Sequence, residues 1–199
     1  LKNLRLPFCP WIPKLAISNC RNIAGRRGHH HYICANGSEP AMTVAKNKID
    51  ALDWTAIAQA FGQDGYALLS PLLGPEDRAD IVALETDNAH FRTRINMARH
   101  RFGEGRYDYF SNPIPPLVAE IWEALYTHLV PIANDAATKL GKDESYPATL
   151  GEYHAQCAAA GQSKPTPLLL QYEAGGYNRL HQDIYGDMAF PIQATMLLS

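Results

Sequence analysis

Apolar residues recur at helical spacing in four stretches between residues 53 and 160. In the first stretch Asp53 is a suitable N-cap, and Gly62 is expected to end the helix. Its apolar stripe is formed by Trp54, Ile57, Ala58 and Phe61. The second stretch begins at Pro75 with two acidic residues in its first turn. The third, 117–140, is long and amphipathic, and Pro131 predicts a kink or a split in it. The fourth covers 151–160.

Short apolar runs bounded by turn residues predict strands at 65–70, 168–173 and 190–199. Because these runs are continuous rather than alternating, we expect strands that are buried on both faces. Between residues 91 and 110, arginines and aromatic residues flank Gly103-Glu104-Gly105, a pattern typical of a β-hairpin. Helices and strands are both predicted, and the fold that we expect is α+β.

Residues 1–41 show neither helical nor strand periodicity, and they lack the layout of a signal peptide. Patterned sequence starts at Met42, so we expect 1–41 to be an unstructured leader or upstream translated sequence and 42–199 to be the folded domain. No apolar run reaches the ~18 residues that a membrane span requires. The body holds one cysteine, Cys157, which suits a reducing, cytoplasmic location.

The net charge of -2 conceals an asymmetry, because residues 1–41 carry a balance of +5 and the remaining residues a balance of -7. An acidic body is a poor general binder of polyanions, so a nucleic-acid contact requires a local basic patch. The segment 91–110 is such a patch. Its candidate substrate-binding residues are Arg99, Arg101, Arg106 and Tyr107, because cations beside stackable rings suit phosphates and an unstacked base. The alternative is a hairpin with core aromatics and solvated or paired arginines.

The tripeptide His181-Gln182-Asp183 provides the candidate metal site. In a strand, residues two apart project to the same face, so His181 and Asp183 can converge on one ion. An imidazole and a carboxylate are two members of the 2-His-1-carboxylate triad that binds Fe(II). So short a motif also occurs by chance, and structural polar residues are the alternative. A zinc site is less favoured, since zinc usually takes more His or Cys ligands.

The surrounding residues resemble a known family. The runs AGQSKPTP, PTPLLLQY, YNRLHQDIYGD and FPIQATMLLS, within 160–199, resemble the metal-binding strand region of 2-oxoglutarate/Fe(II)-dependent oxygenases. The likeness extends from about Asp53 to Ser199 and is strongest to a bacterial branch described as acting in oxidative demethylation of damaged DNA. It implies a double-stranded β-helix, or jelly-roll, of eight core strands with N-terminal supporting helices.

The resemblance also implies cofactors and roles. His181 and Asp183 match the first two iron ligands, and Tyr172 matches a tyrosine that donates a hydrogen bond to 2-oxoglutarate. Fe(II), 2-oxoglutarate and O2 are therefore the expected cofactors, and alkylated DNA or RNA the expected partner. A Tyr172 ring that is simply packed at a strand end is the alternative for that residue.

This sequence departs from the family at its end, because the second histidine ligand and the arginine that binds 2-oxoglutarate would lie beyond Ser199. We therefore expect an incomplete sheet, an inactive chain and an exposed apolar edge at 196–198. Two other functions stay open: a 2-oxoglutarate-dependent hydroxylase of a protein side chain or small molecule, and a non-catalytic fragment or binding module.

Overall fold

The computed structural model describes residues 15–20, 42–180 and 188–198. The α-helices are α1 (Met42–Asp50), α2 (Trp54–Asp64), α3 (Pro75–Ala83), α4 (Pro116–Lys139) and α5 (Leu150–Ala159). The strands are β1 (Leu15–Cys20), β2 (Phe91–Asn96), β3 (Gly103–Glu104), β4 (Arg106–Phe110), β5 (Leu168–Tyr172), β6 (Tyr177–Asn178) and β7 (Ala194–Leu197). Short 3-10 turns span Leu84–Thr86, Asn88–His90 and Ala98–His100. This mixture of helices and strands agrees with the α+β prediction.

Five strands form one mixed sheet in the order β2-β4-β5-β1-β7. The pairs β2–β4 and β4–β5 are antiparallel, whereas β1 runs parallel to both β5 and β7. The strands β3 and β6 form a separate antiparallel pair. The eight-stranded jelly-roll stays a prediction.

The core includes α4, whose apolar stripe is buried along its length. Its buried residues include Val118, Ile121, Leu125, Val130 and Ala133. They belong to one cluster with sheet residues such as Phe110 and Leu169. Fully burying a side chain of this size is worth roughly 1.5–3 kcal/mol, so α4 contributes much of the apolar core that it shares with the sheet.

The four predicted helices are confirmed, with two differences in detail. Asp53 caps α2 by accepting from the Ala56 N–H at 3.0 Å. Gly62 does not end that helix, which continues to Gly65, where φ of +78° and an N–H bond to the Phe61 carbonyl at 2.9 Å form the stop. Pro131 does not split α4, because buried residues on both sides of it keep the helix packed on the core.

The predicted strand at 65–70 is wrong, since residues 66–70 have no regular structure. Tyr66 is 62% exposed and Leu68 is 88% exposed. An apolar run becomes a strand only where a neighbouring strand takes its backbone hydrogen bonds, and no described strand pairs with this one. The strand at 168–173 is confirmed as β5, and the strand at 190–199 is confirmed in part, as β7 over 194–197. Burial on both faces does not hold for β7, which is an edge strand of the described sheet with Leu197 72% exposed.

The strand β1 was not expected, because 1–41 was predicted to be unstructured. Parallel pairing on both sides holds it through backbone groups, which do not require an apolar alternation in the sequence. The other residues of 1–41 lie outside the described residues, so the domain start at Met42 stays a prediction.

The predicted hairpin around 103–105 is confirmed in the form of β2 and β4, joined by a tip at 97–105. The tip is attached to the segment after β5 through the β3–β6 pair and through the Arg179 N–H, which donates to the Phe102 carbonyl at 2.7 Å. Gly103 permits this contact: its φ is +145°, and a Cβ there would lie 2.1 Å from the Tyr177 carbonyl oxygen.

Gly103→Ala is therefore expected to detach the hairpin tip from 177–179. Strained backbone of this kind costs about 1–3 kcal/mol, so exchange of the Arg179 amide hydrogen should accelerate by about 10- to 100-fold. Gly62→Ala is the matched control, because a Cβ there would meet nothing within 4 Å and the residue sits inside a helix. The control should raise the free energy of unfolding by about 0.5–1 kcal/mol and leave Arg179 exchange unaccelerated. Equal Arg179 exchange in both variants would contradict the β3–β6 contact.

Candidate functional site

The hairpin tip presents two exposed cations. The Asn96 side chain accepts from the backbone N–H groups of Ala98 and Arg99, at 3.0 and 3.4 Å, and begins the 3-10 turn. Met97 is fully buried beneath the turn, and its N–H donates to the Gly105 carbonyl at 2.9 Å. Arg99 and Arg101 are exposed, and neither has an ion pair within the described part of the chain. A fixed backbone thus carries two charges that remain available to an anion.

Aromatic side chains accompany these charges. The His100 and Phe102 rings stack with centroids 5.9 Å apart. Tyr177, held beside the tip by the β3–β6 pair, is 46% exposed. Cations beside accessible rings are the combination that binds single-stranded nucleic acid through phosphate contacts and base stacking.

Arg106 has a different environment. Its guanidinium donates to the Glu85 carboxylate at 3.0 Å, the Asp108 carboxylate at 3.1 Å and the Gln171 side-chain oxygen at 2.7 Å. These contacts use three of the five N–H donors of the guanidinium, and two carboxylates offset its charge, so Arg106 is tied to the sheet. Tyr107, on the opposite face of β4, is half-buried with its ring edge-on to Tyr109 at 5.7 Å.

Two further arginines of the segment are also engaged. Arg92 lies 4.4 Å over the Tyr109 ring and donates to the Pro165 carbonyl at 3.1 Å. Arg94 lies 4.6 Å over the Phe91 ring and pairs with Asp108 at 3.5 Å. The alternative of paired arginines therefore describes the base of the hairpin, and the exposed cations are confined to its tip.

Asp108 is the centre of this charge network. It has no exposed surface, and burial raises the pKa of its carboxyl above the ordinary value while Arg106 and Arg94 oppose that shift. Gln171 of β5 also donates to it, at 3.4 Å. Because Asp108 and Glu85 together offset the charges of Arg94 and Arg106, the count of arginines in 91–110 overstates the charge offered to a ligand.

Tyr172 ends β5 beside the hairpin tip. A Cβ added at Gly105 would lie 2.8 Å from the Tyr172 ring, so this glycine lets the ring lie against the hairpin backbone. Tyr172 is half-buried at the end of its strand, which leaves its role toward 2-oxoglutarate a prediction. The segment that follows returns through β6 and leads directly to the His-x-Asp motif.

The predicted metal ligands His181 and Asp183 lie outside the described residues, so their geometry stays a prediction. The preceding residues are exposed, with Leu180 fully so. Within 42–180 and 188–198 no group of three or more His, Cys, Asp or Glu side chains could hold a metal ion. Arg179 is two positions before His181, and its backbone bond to Phe102 anchors the motif's N-terminal flank at the hairpin tip.

The family comparison concerns the C-terminal half. Residues 105–199 match a family model described as an oxygenase catalysing oxidative methylation of damaged DNA. An uncharacterized protein of Mycobacterium tuberculosis, present in strains CDC 1551 / Oshkosh and ATCC 25618 / H37Rv, is 40% identical over 90 residues. That alignment covers 45% of this chain and 39% of the relative.

No solved structure matches this chain significantly. Among the described residues, none of the helices has the length and apolar character that crossing a membrane demands. The family match includes β4, β5, the hairpin-bound segment and the His-x-Asp motif. Tyr172 and the motif's flank therefore lie inside the matched region, whereas Arg99 and Arg101 precede it.

Proposed function

We propose that this chain is part of an Fe(II)- and 2-oxoglutarate-dependent dioxygenase that oxidatively demethylates alkylated bases in DNA or RNA. The observation that carries the proposal is the match of residues 105–199 to an oxygenase family acting on damaged DNA. The chain spans about two fifths of the length of the curated relatives it matches. The activity is therefore proposed for the whole protein that contains it.

The donor set supports an iron site. His181 and Asp183 offer a neutral nitrogen and an anionic oxygen, which together suit Fe(II) in a facial arrangement. A third protein ligand would complete the set. When bound, Fe(II) with 2-oxoglutarate and O2 supplies the oxidation of a substrate C–H bond.

The remaining tasks fall to side chains of this chain. The Tyr172 hydroxyl, at the end of β5, would donate a hydrogen bond to a carboxylate of 2-oxoglutarate. Arg99 and Arg101 would bind phosphates of the substrate strand. Tyr177 and Phe102 provide ring surface on which an extruded base or its neighbour could stack.

Electrostatics supports the hairpin tip as the nucleic-acid contact. The balance of residues 42–199 is -7, so most of the body repels a polyanion. A phosphate backbone can approach such a body only where cations are concentrated and unpaired by nearby acids. The hairpin tip meets that requirement, whereas Arg92, Arg94 and Arg106 are committed within the protein.

A second candidate is a 2-oxoglutarate-dependent hydroxylase of a protein side chain or small molecule, favoured by the same acidic body. It shares the iron site and differs in substrate. Turnover of 2-oxoglutarate stimulated by peptide, and not by methylated oligonucleotide, would select it.

The first prediction concerns the metal. In the whole protein that contains this chain, His181→Ala and Asp183→Ala should each abolish stoichiometric Fe(II) binding. Each variant leaves only two of the three protein ligands, and two ligands cannot fix a facial site. Anaerobic titration with Fe(II) and 2-oxoglutarate, followed by the visible charge-transfer band, measures this loss. His90→Ala, at a surface position beside Asp87, is the control and should bind Fe(II) normally. Stoichiometric iron in both ligand variants would refute the metal assignment.

The second prediction concerns the hairpin tip. Arg99→Glu combined with Arg101→Glu should weaken binding of a methylated oligonucleotide and flatten its salt dependence. Each lost phosphate contact should reduce the slope of log K against log salt concentration by about 0.7–0.9. Fluorescence anisotropy from 50 to 200 mM salt measures the slope.

The control for this experiment is Lys139→Glu combined with Lys142→Glu. It makes the same change in net charge at exposed lysines near the end of α4. The control should leave the slope close to the wild-type value. Equal effects of the two double variants would show a response to net charge alone and would exclude a specific contact at the tip.

A further inference from the structure

A second candidate binding site lies at the other end of the sheet. A cavity of about 600 Å³ opens between α4, α5 and the turns at 112–114 and 162–165. Its apolar walls include Trp122, Leu150 and Pro165. Pro165 lies shortly before the first residue of β5, whereas Tyr172 is the last, and the strand itself is roughly 13 Å long at 3.3 Å per residue. The cavity is therefore separate from Tyr172 and the hairpin tip.

Two polar atoms in the residues lining this cavity have no hydrogen-bond partner. Within the described residues, His154 Nε2 and Gln162 Oε1 are both buried and unpaired. Gln162 is only 3% exposed. Buried polar side-chain atoms are normally hydrogen-bonded. Two of the six unpaired buried atoms among the described residues belong to residues that line this cavity, so a ligand that reaches them from the cavity would supply a missing partner.

The His154 ring is fixed in position and uncharged near neutral pH. It packs on Trp122 with ring centroids 4.7 Å apart. Burial lowers the pKa of His154 below its ordinary value, since the charged imidazolium is poorly solvated there. The cavity wall therefore offers a neutral hydrogen-bonding nitrogen.

The charge of the lining selects among ligands. Glu123 is the one charged side chain among the described lining residues, and neither lysine nor arginine contributes. Gln162 Oε1 accepts hydrogen bonds and cannot donate. The described lining holds no cation to offset a carboxylate or phosphate, and Glu123 would repel either group, so the lining disfavours anions such as 2-oxoglutarate and nucleotides.

We propose that this cavity binds a small planar molecule that is neutral or cationic and carries an N–H donor on an apolar ring, as an aromatic amide or amidine does. The N–H group would donate to Gln162 Oε1. The ring would lie against the apolar wall that includes Leu150 and Trp122, and Glu123 would favour a positive charge at the mouth. The volume falls within the usual range of small-molecule sites.

Three probes of nearly equal shape test the proposal on the intact chain. Benzamide is neutral with an N–H donor, benzamidine is its cationic counterpart, and benzoate is an anion without a donor. Titration followed by two-dimensional amide NMR should show saturable shifts in 150–162 for benzamidine and benzamide, with benzoate at least tenfold weaker. Benzoate binding as well as benzamide, or no saturable shift with any probe, would overturn the proposal.

Substitution of the acceptor provides a second test. Gln162→Met keeps the side-chain volume and removes the unpaired oxygen, so benzamide affinity should fall at least tenfold. The unfolding temperature should rise by about 2–4 °C, because an unsatisfied buried polar group has been replaced by an apolar one. Gln156→Met, at an exposed position on α5, is the control and should leave both properties unchanged.

A blocking variant keeps the test decisive if Gln162→Met does not fold. Ala158 lines the cavity but is exposed, so Ala158→Phe should obstruct it without displacing a buried side chain. Loss of benzamide binding with normal unfolding supports the site. Unchanged benzamide binding in this variant would exclude the cavity, and neither result depends on iron binding or on the oxygenase activity.

Discussion

The buried carboxylate of Asp108 is the constraint on which the antiparallel half of the sheet depends. A carboxylate removed from water costs several kcal/mol unless cations and hydrogen-bond donors surround it. In the observed register Arg94 of β2 lies opposite Asp108, and Gln171 of β5 lies opposite Arg106. A slip of one residue would send every side chain of β4 to the opposite face and leave this charge unpaired. The network thus selects one register, whether or not it adds net stability.

The same network determines which arginines remain for function. Asp108 and Glu85 neutralise the base of the hairpin, and aromatic rings cover Arg92 and Arg94. The tip lies beyond this network, so its two cations stay exposed. Because the tip is bound to 177–179, rigid backbone connects these cations to the residues that lead into the His-x-Asp motif. Within 91–110, the arginines on the strands are therefore engaged inside the protein, and the arginines at the tip are exposed.

The sequence predicted the helices well because their signals are local. The Asp53 cap, the Pro75 start and the apolar stripe of α4 each act within a few residues, and each is found in the structure. The wrong predictions concern strands, which require a neighbouring strand. Residues 65–70 have the composition of a strand, but no described strand pairs with them. The strand β1 has two neighbouring strands, although its sequence lacks an apolar pattern. Strand formation depends on what lies beside a segment, which a single sequence does not state.

For the candidate site too, local features could be predicted from the sequence and contacts between distant elements could not. Tyr172 was placed correctly at a strand end by its position after an apolar run, and the basic character of 91–110 was visible by counting. The pairing of Arg106 with Asp108 could also be predicted in part, because residues two apart in a strand share a face. The hydrogen bonds of Arg106 to Glu85 and Gln171 could not be predicted, because these two residues belong to other elements. His154 and Gln162 gave no sequence signal, because an unpaired buried atom is a property of packing.

The two ends of β5 therefore differ in the ligands that their charges admit. At the Tyr172 end, exposed guanidinium groups attract phosphates, and the acidic body directs a polyanion toward them. At the Leu168 end, the charged group of the described cavity lining is the carboxylate of Glu123, which repels the same polyanion. Because the distinction rests on charge, nucleic acid bound at the hairpin tip would leave the cavity free. A neutral or cationic ring could then occupy the cavity without competing for the tip.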